Sequence, residues 1–178
     1  MDIQSLVQKA KSGDQAAFGL IYDEFSDRIY RFLMMKVSND QEAQDLFQET
    51  FIRAWKGLSG FKTENANFSA WLYKIASNCA TDYYRRKAVK PDSLELDDNA
   101  ETHAAYADPL PGKIDTGLEI EKVKSALNSL PPQYKEVLEL RFIQDFTIAE
   151  TAKILNKTGL AVRMLQHHAL AKLKEIII

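Results

Sequence analysis

The stretch Phe68-Ser69-Ala70-Trp71-Leu72-Tyr73-Lys74-Ile75-Ala76-Ser77-Asn78-Cys79-Ala80-Thr81-Asp82-Tyr83-Tyr84-Arg85-Arg86-Lys87 carries two patterns at once. At helical period, Phe68, Leu72, Ile75 and Cys79 form one apolar stripe suited to a core. Trp71, Lys74, Asn78, Asp82 and Arg85 fall on a second face, and the basic run Arg85-Arg86-Lys87 closes the segment at the end where a helix dipole favours cations. An aromatic ring, an amide, a carboxylate and several cations on one face could read bases and hold phosphates. The same pattern also describes an ordinary solvated helix face with Trp71 turned into the core. The flanking sequence has to decide.

Upstream, Ser12-Gly13-Asp14-Gln15 has the Ser-x-x-Gln form of a capping box, followed at spacings of three and four by Phe18, Ile21, Phe25, Ile29 and Phe32. This predicts a long helix to about Val37. Asn39-Asp40 supplies a turn and cap for the next helix, whose buried face is Ala43, Phe47, Phe51, Ala54 and Leu58 and whose other face is Asp45, Gln48, Glu49 and Ile52. Gly57 and Gly60 end it, and a polar loop of residues 60–67 delivers the chain to Phe68. With a short N-terminal helix, four helices precede residue 88.

From Val89 to about Thr116 the periodicity disappears, and Pro91, Pro109, Pro111, Gly112 and acidic residues replace it. A structureless loop of that length is uncommon within one domain, so the boundaries fall at 1–88, 89–116 for the acidic linker, and 117–178. Charge follows the same division. Residues 62–90 carry Lys62, Lys74, Arg85, Arg86, Lys87 and Lys90 against Glu64 and Asp82, whereas residues 91–117 have Lys113 alone among seven carboxylates.

Beyond the linker, Leu118, Val123, Ala126, Leu127 and Leu130 suggest a helix stopped by Pro131-Pro132, with Pro132 placed to open the next, lined by Tyr134, Val137, Leu138 and Leu140 to Phe142. Thr147-Ile148-Ala149-Glu150 is a capping box before a short helix to Leu155. Asn156-Lys157-Thr158 then turns into a last helix from about Gly159 to Glu175. A short helix, a tight turn and a longer basic helix predict a helix-turn-helix. Ala152, Leu155, Val162, Leu165 and Leu170 can pack the pair, leaving Arg163, Met164, His167 and His168 outward, with Gln166 beside them. Arg163 suits a bidentate contact to guanine, and Lys157 and Thr158 suit phosphates. A helical hairpin with a solvated basic face is the plainer alternative.

The 178 residues and net charge of −2 suit a globular all-α protein of two small domains, and local basic faces matter more than the total. The one cysteine, Cys79, excludes an internal disulfide and fits a reducing, cytoplasmic setting. No signal segment or long apolar run predicts membrane insertion. His167 and His168 are adjacent and cannot form an i, i+4 metal pair, and His103 stands in the linker. No phosphate loop, nucleophile motif or Ser/His/Asp set is visible, so neither catalysis, metal nor cofactor is expected.

The segments Ala43-Gln44-Asp45-Leu46-Phe47-Gln48-Glu49-Thr50-Phe51-Ile52-Arg53-Ala54-Trp55 and Phe68 to Asn78, with Asp82 and Arg85-Arg86, resemble the second conserved region of the extracytoplasmic-function (ECF) sigma factors of bacterial RNA polymerase. Leu130-Pro131-Pro132-Gln133-Tyr134, Leu140-Arg141-Phe142 and Ala161-Val162-Arg163-Met164-Leu165-Gln166-His167 resemble the fourth region, in the right order. The resemblance implies that Asp45, Gln48, Glu49 and Ile52 grip core RNA polymerase. It also implies that Trp71, Tyr73, Lys74, Asn78, Asp82, Arg85 and Arg86 open the −10 element and capture a flipped base. Lys157, Thr158, Arg163, Met164, Gln166, His167 and His168 would read the −35 element in promoter DNA.

The resemblance further implies an anti-sigma partner and a linker that threads through polymerase channels, where a plain soluble spacer is the alternative. Leu160 and His168 depart from the family pattern, Leu160 where Gly is common and His168 where Arg or Lys is common. The apolar end Ile176-Ile177-Ile178 is expected to pack on its own domain or on a partner. Two rival readings stay open at this point: a stand-alone helix-turn-helix regulator with an N-terminal sensor or dimerisation domain, and a helical adaptor that never touches DNA.

Overall fold

The structure, a computed structural model, describes residues 2–37, 39–62, 67–89 and 125–177. The expected linker apart from its first residue, Val89, the predicted helical positions Leu118 and Val123, His103, the centre of the 60–67 loop and Ile178 lie outside the described residues. Among the described residues every regular element is helical. They fall into two compact units, one centred on the first four helices and one on the remainder.

In the first unit, α1 (Ile3–Lys11) starts on the cap Asp2, whose side chain accepts from the Gln4 amide at 3.1 Å. Helix α2 (Gln15–Met34) begins differently from the sequence expectation. Ser12 is the C-terminal cap of α1, donating from Oγ to the Lys9 carbonyl at 2.7 Å, and Gly13 takes a φ of 96°. That left-handed turn is open to glycine at little cost and moves the start of α2 onward. Asp14, rather than Ser12, therefore caps α2, accepting from the Ala17 amide at 3.1 Å. Helix α3 (Asp40–Gly57) is capped by Asn39 as expected, through the Glu42 amide at 2.8 Å, and runs into a 3₁₀ turn at Leu58–Gly60. The Lys11 ammonium donates to the Phe61 carbonyl at 2.5 Å, tying the chain after that turn to the end of α1.

Helix α4 (Phe68–Val89) packs on both α2 and α3. Its buried side is broader than the expected stripe. Phe68, Leu72, Tyr73, Ala76, Ser77, Cys79 and Ala80 are all buried, whereas Ile75 is only half-buried. Rings from three elements meet there: Phe68 lies 5.7 Å from Phe25 and 5.5 Å from Phe61, and Tyr73 meets Phe32 edge-on at 5.0 Å. Such edge-to-face pairs add to the free energy of burial by about 0.5–1.5 kcal/mol each.

In the second unit, residues 125–129 form α5, and α6 (Pro132–Leu138) opens with Pro132 in its first turn. The chain continues as a π-helical turn, Glu139–Ile143, in which the Gln144 amide donates to the Glu139 carbonyl at 2.9 Å. The wider turn rotates the side chains at its far end. Phe142, expected to line the helix, is therefore exposed with Ile143, and Phe146 enters the core instead. Helix α7 (Ile148–Leu155) carries the predicted capping box, with the Glu150 amide donating to Thr147 Oγ1 at 3.2 Å and the Thr147 amide to Glu150 Oε2 at 2.8 Å. Asn156, at φ 54°, makes the turn into α8 (Gly159–Ile177).

Helix α8 packs on α6 through a cluster of Leu130, Leu138 and Ala169, with Leu127, Tyr134 and Leu173 around it. Leu170, expected to pack, is 41% exposed, while Ala169 is wholly buried. The small side chain is what lets the helices approach at that point. Ala169→Leu should therefore cost about 1–3 kcal/mol by overpacking, and Leu170→Ala should change stability by less than about 0.5 kcal/mol. Urea unfolding of the full chain checks the pair, and a larger loss at position 170 would contradict this packing.

Candidate nucleic-acid interface

The polar stripe of α4 forms a continuous, partly accessible strip: Trp71, Lys74, Asn78 and Asp82 are half-buried, and Arg85 and Arg86 are exposed. The side opposite is the core, so the strip has one direction in which to face. Trp71 is anchored from beneath. Its ring lies 4.9 Å from Phe61 and 5.5 Å from Phe68, and a Cβ at Gly57 would stand 3.4 Å from its Cζ2. This leaves a ring edge, fixed by packing, at the rim of the strip.

Tyr73 does not belong to that strip. Its side chain is fully buried against Phe32, so it cannot stack on an extruded base, and its place in the expected −10 set is corrected to the core. The signal is present in the sequence: Tyr73, Ala76 and Ala80 recur at three and four, which marks a helix side crossed closely by a neighbour.

Asp82 has a partner that sequence reasoning missed. Arg53, from α3, donates from one guanidinium nitrogen to Asp82 Oδ2 at 2.9 Å and from Nε to Glu49 Oε1 at 2.6 Å. The adjacent guanidinium holds the Asp82 carboxyl below the ordinary carboxylate range, and its two carboxylate partners raise the pKa of Arg53. What Asp82 contributes to stability is therefore present at neutral pH and lost as the pH falls through its lowered pKa. The Glu49–Arg53 spacing of four residues is legible on one helix, but the crossing to Asp82 depends on how α3 and α4 pack. A second tie lies near the end of α4. Glu42 accepts from the Tyr83 hydroxyl and from Lys87 Nζ, the latter at 3.3 Å, and Lys87 also sits over the Tyr83 ring. Arg85 and Arg86 are the exposed cations beside it. Burial pushes the Cys79 thiol pKa up, which suits its packing role.

On α3, Asp45 and Gln48 are exposed and Ile52 is 47% exposed, while Glu49 is half-buried and held by Arg53. Asp45 accepts from Gln41 one turn before it at 3.4 Å. Beside Gln48 a cavity of about 340 Å³ opens, lined also by Tyr22, Ser26, Asp27, Tyr30, Gln44 and Phe47.

On α8, Arg163, Met164, His167 and His168 are all exposed, and Leu160 at the start is 67% exposed. Thr158 is the helix cap, accepting from the Ala161 amide at 3.1 Å, and Lys157 beside it is exposed. Gln166 is committed inward: its Oε1 accepts from Arg141 Nε at 3.1 Å, and Arg141 also donates to the Phe146 carbonyl. That link holds the π-helical segment against α8. No helix among the described residues is long and apolar enough to cross a membrane.

Comparison with known proteins bears on the same segments. Residues 21–89 match sigma-70 region 2 and residues 126–175 match sigma-70 region 4. The ECF RNA polymerase sigma factor SigW of Bacillus subtilis is 35% identical over 164 residues, covering 88% of this chain and 86% of SigW. The ECF RNA polymerase sigma factor BldN of Streptomyces coelicolor is 31% identical over 177 residues, covering 98% of this chain and 66% of BldN. The structure of CnrH in complex with the cytosolic domain of CnrY is similar with a TM-score of 0.65 and 25% identity, over 99% of this chain and 97% of that one. Two region matches in order, on the helices α3, α4 and α8 that carry the three exposed polar faces, place the chain in one family: it belongs to the ECF RNA polymerase sigma factors, non-enzymatic factors that direct RNA polymerase to promoters for transcription initiation.

Proposed function

We propose that the chain divides its task among three surfaces, with residues 1–88 and 117–178 as the working domains and 89–116 as the tether. Asp45, Gln48 and Ile52 on α3 bind the core polymerase, Glu49 supporting them through its bond to Arg53. Lys74, Asn78, Arg85 and Arg86 on α4, with the accessible edge of Trp71, hold the melted −10 element. Lys157 and Thr158 hold phosphates of the −35 duplex while Arg163, Met164, His167 and His168 on α8 meet its base edges. The observation that carries this reading is the one-sidedness of α4: its inner side is buried and its cations and amide line the outer one.

Strand opening exposes unpaired bases and concentrated phosphate charge. An aromatic edge and an amide can meet the former, and cations the latter. Two weak readers on one tether gain affinity by effective concentration, provided that the promoter spacing lets both engage. The exposed apolar residues of α3 and the solved complex of CnrH with the cytosolic domain of CnrY support a protein partner for this chain, which we take to be an anti-sigma factor. A task performed on core polymerase and promoter DNA supports a cytoplasmic setting for the chain, in keeping with its single free Cys79. The alternative of a stand-alone regulator is not favoured, because the region 2 match spans the helices that it would assign to sensing or dimerisation.

Transcription by core polymerase on fragmented genomic DNA, with and without the chain, tests the reading. Defined run-off products that appear only with the chain are expected. Absence of any stimulation, together with absence of core binding, would overturn it. Replacing Asp45 and Gln48 together by Ala should weaken core affinity by about tenfold, measured by fluorescence anisotropy of labelled chain, and unchanged affinity would show that the polymerase face lies elsewhere. Arg163→Ala should cost about 1–3 kcal/mol of −35 discrimination, read as the ratio of transcription from intact and scrambled −35 sequences, with little effect on core affinity.

A further inference from the structure

Asp82 is the single acidic side chain of α4, and it stands on the strip that would hold promoter phosphates. A bare carboxylate there works against binding in two ways. It repels the phosphate backbone, and it competes for the neighbouring cations: Arg85 is already 3.9 Å from Asp82 Oδ1. Arg53 reaches across from α3 and occupies the other carboxylate oxygen at 2.9 Å, while Glu49, one helical turn before Arg53, fixes the guanidinium at 2.6 Å. A planar guanidinium can serve both carboxylates at once, through Nε and a terminal nitrogen; an ammonium offers only a point charge. Arg53 and Asp82 are each only partly exposed, so this pair is less screened than the open-surface pair Arg28–Glu24.

We infer that Arg53 is a positioning residue for promoter opening: by holding the Asp82 carboxylate from the α3 side, it leaves Arg85 and Arg86 to the −10 phosphates and fixes α4 against the helix that docks on the polymerase. The inference rests on the proposed −10 role of α4. It assigns Asp82 to intramolecular charge pairing rather than to a contact with DNA, and it makes the Glu49–Arg53–Asp82 chain one of two polar links, with Glu42–Tyr83–Lys87, between the polymerase-facing and DNA-facing helices.

The test uses holoenzyme with the chain in excess over core, so that core affinity does not enter, on promoters recovered from the genomic run-off experiment. Permanganate reactivity of −10 thymines reports opening as salt is varied. Arg53→Gln should reduce open complex by roughly fivefold at low salt, as expected for one unmasked charge near phosphate, and the deficit should narrow as added salt screens that charge. Arg53→Lys should fall between that variant and the parent chain. Adding Asp82→Asn to Arg53→Gln should restore opening to within about twofold, which loss of a merely structural tie would not do. Asp82→Asn alone, the arm that stands if Arg53→Gln proves unstable by circular dichroism, should open promoters at least as well as the parent chain.

Unchanged opening in Arg53→Gln, a double variant no better than Arg53→Gln, or a severe loss in Asp82→Asn alone would each overturn the inference. Failure of the parent holoenzyme to open any promoter would instead overturn the −10 reading on which it stands.

Discussion

Helix α4 has to be buried on one side and charged on the other, and the first unit is arranged around that requirement. Phe68, Leu72, Tyr73, Ala76, Cys79 and Ala80 face the helices that pack on it. Full burial of a large side chain such as Phe68, Leu72 or Tyr73 contributes about 1.5–3 kcal/mol. With the helix pinned from beneath, Lys74, Asn78 and Arg85 keep a fixed direction, and a strip that does not turn can be matched to one strand of DNA. The accessible edge of Trp71 shares this origin, since Phe61, Phe68 and the bare Cα of Gly57 hold its ring from below.

Polar ties then set the angle between α4 and its neighbour. Glu42 gathers Tyr83 and Lys87, and Arg53 joins Glu49 to Asp82. Partly exposed ion pairs of this kind add little to global stability, on the order of 0–1 kcal/mol each. Their geometry is specific nonetheless, and both run from α3 to α4, from the proposed polymerase face to the proposed DNA face. The second unit uses a comparable device: Arg141 joins the π-helical turn to Gln166, so the exposed side of α8 is carried on a braced helix.

Helix limits that depend on local chemistry are legible in the sequence. Asn39, Pro132, the Thr147–Glu150 box and the turn at Asn156 all stand where the residue types place them. Ser12 misleads because a capping motif does not show which of two adjoining helices a residue closes, and the positive φ of Gly13 assigns it to α1. Phe142 misleads because a π-helical turn shifts the 3.6-residue register without announcing itself in composition, and Leu170 because the small Ala169 beside it is the residue that α8 packs into its cluster. The exposed strips of α3, α4 and α8 can be read from periodicity, whereas the burial of Tyr73, the inward commitment of Gln166 and the Arg53–Asp82 pair depend on how separate helices meet.

One chain, bound to polymerase, is proposed to place α4 on the −10 strand and α8 on the −35 duplex at the same time. Site-specific photocrosslinking from positions 78 and 164, in holoenzyme assembled on a promoter that the chain transcribes, tests this most directly. Crosslinks from position 78 should be confined to non-template bases of the −10 element, and crosslinks from position 164 to the −35 element. Crosslinks from both positions to the same element, or from position 78 to polymerase alone, would contradict it.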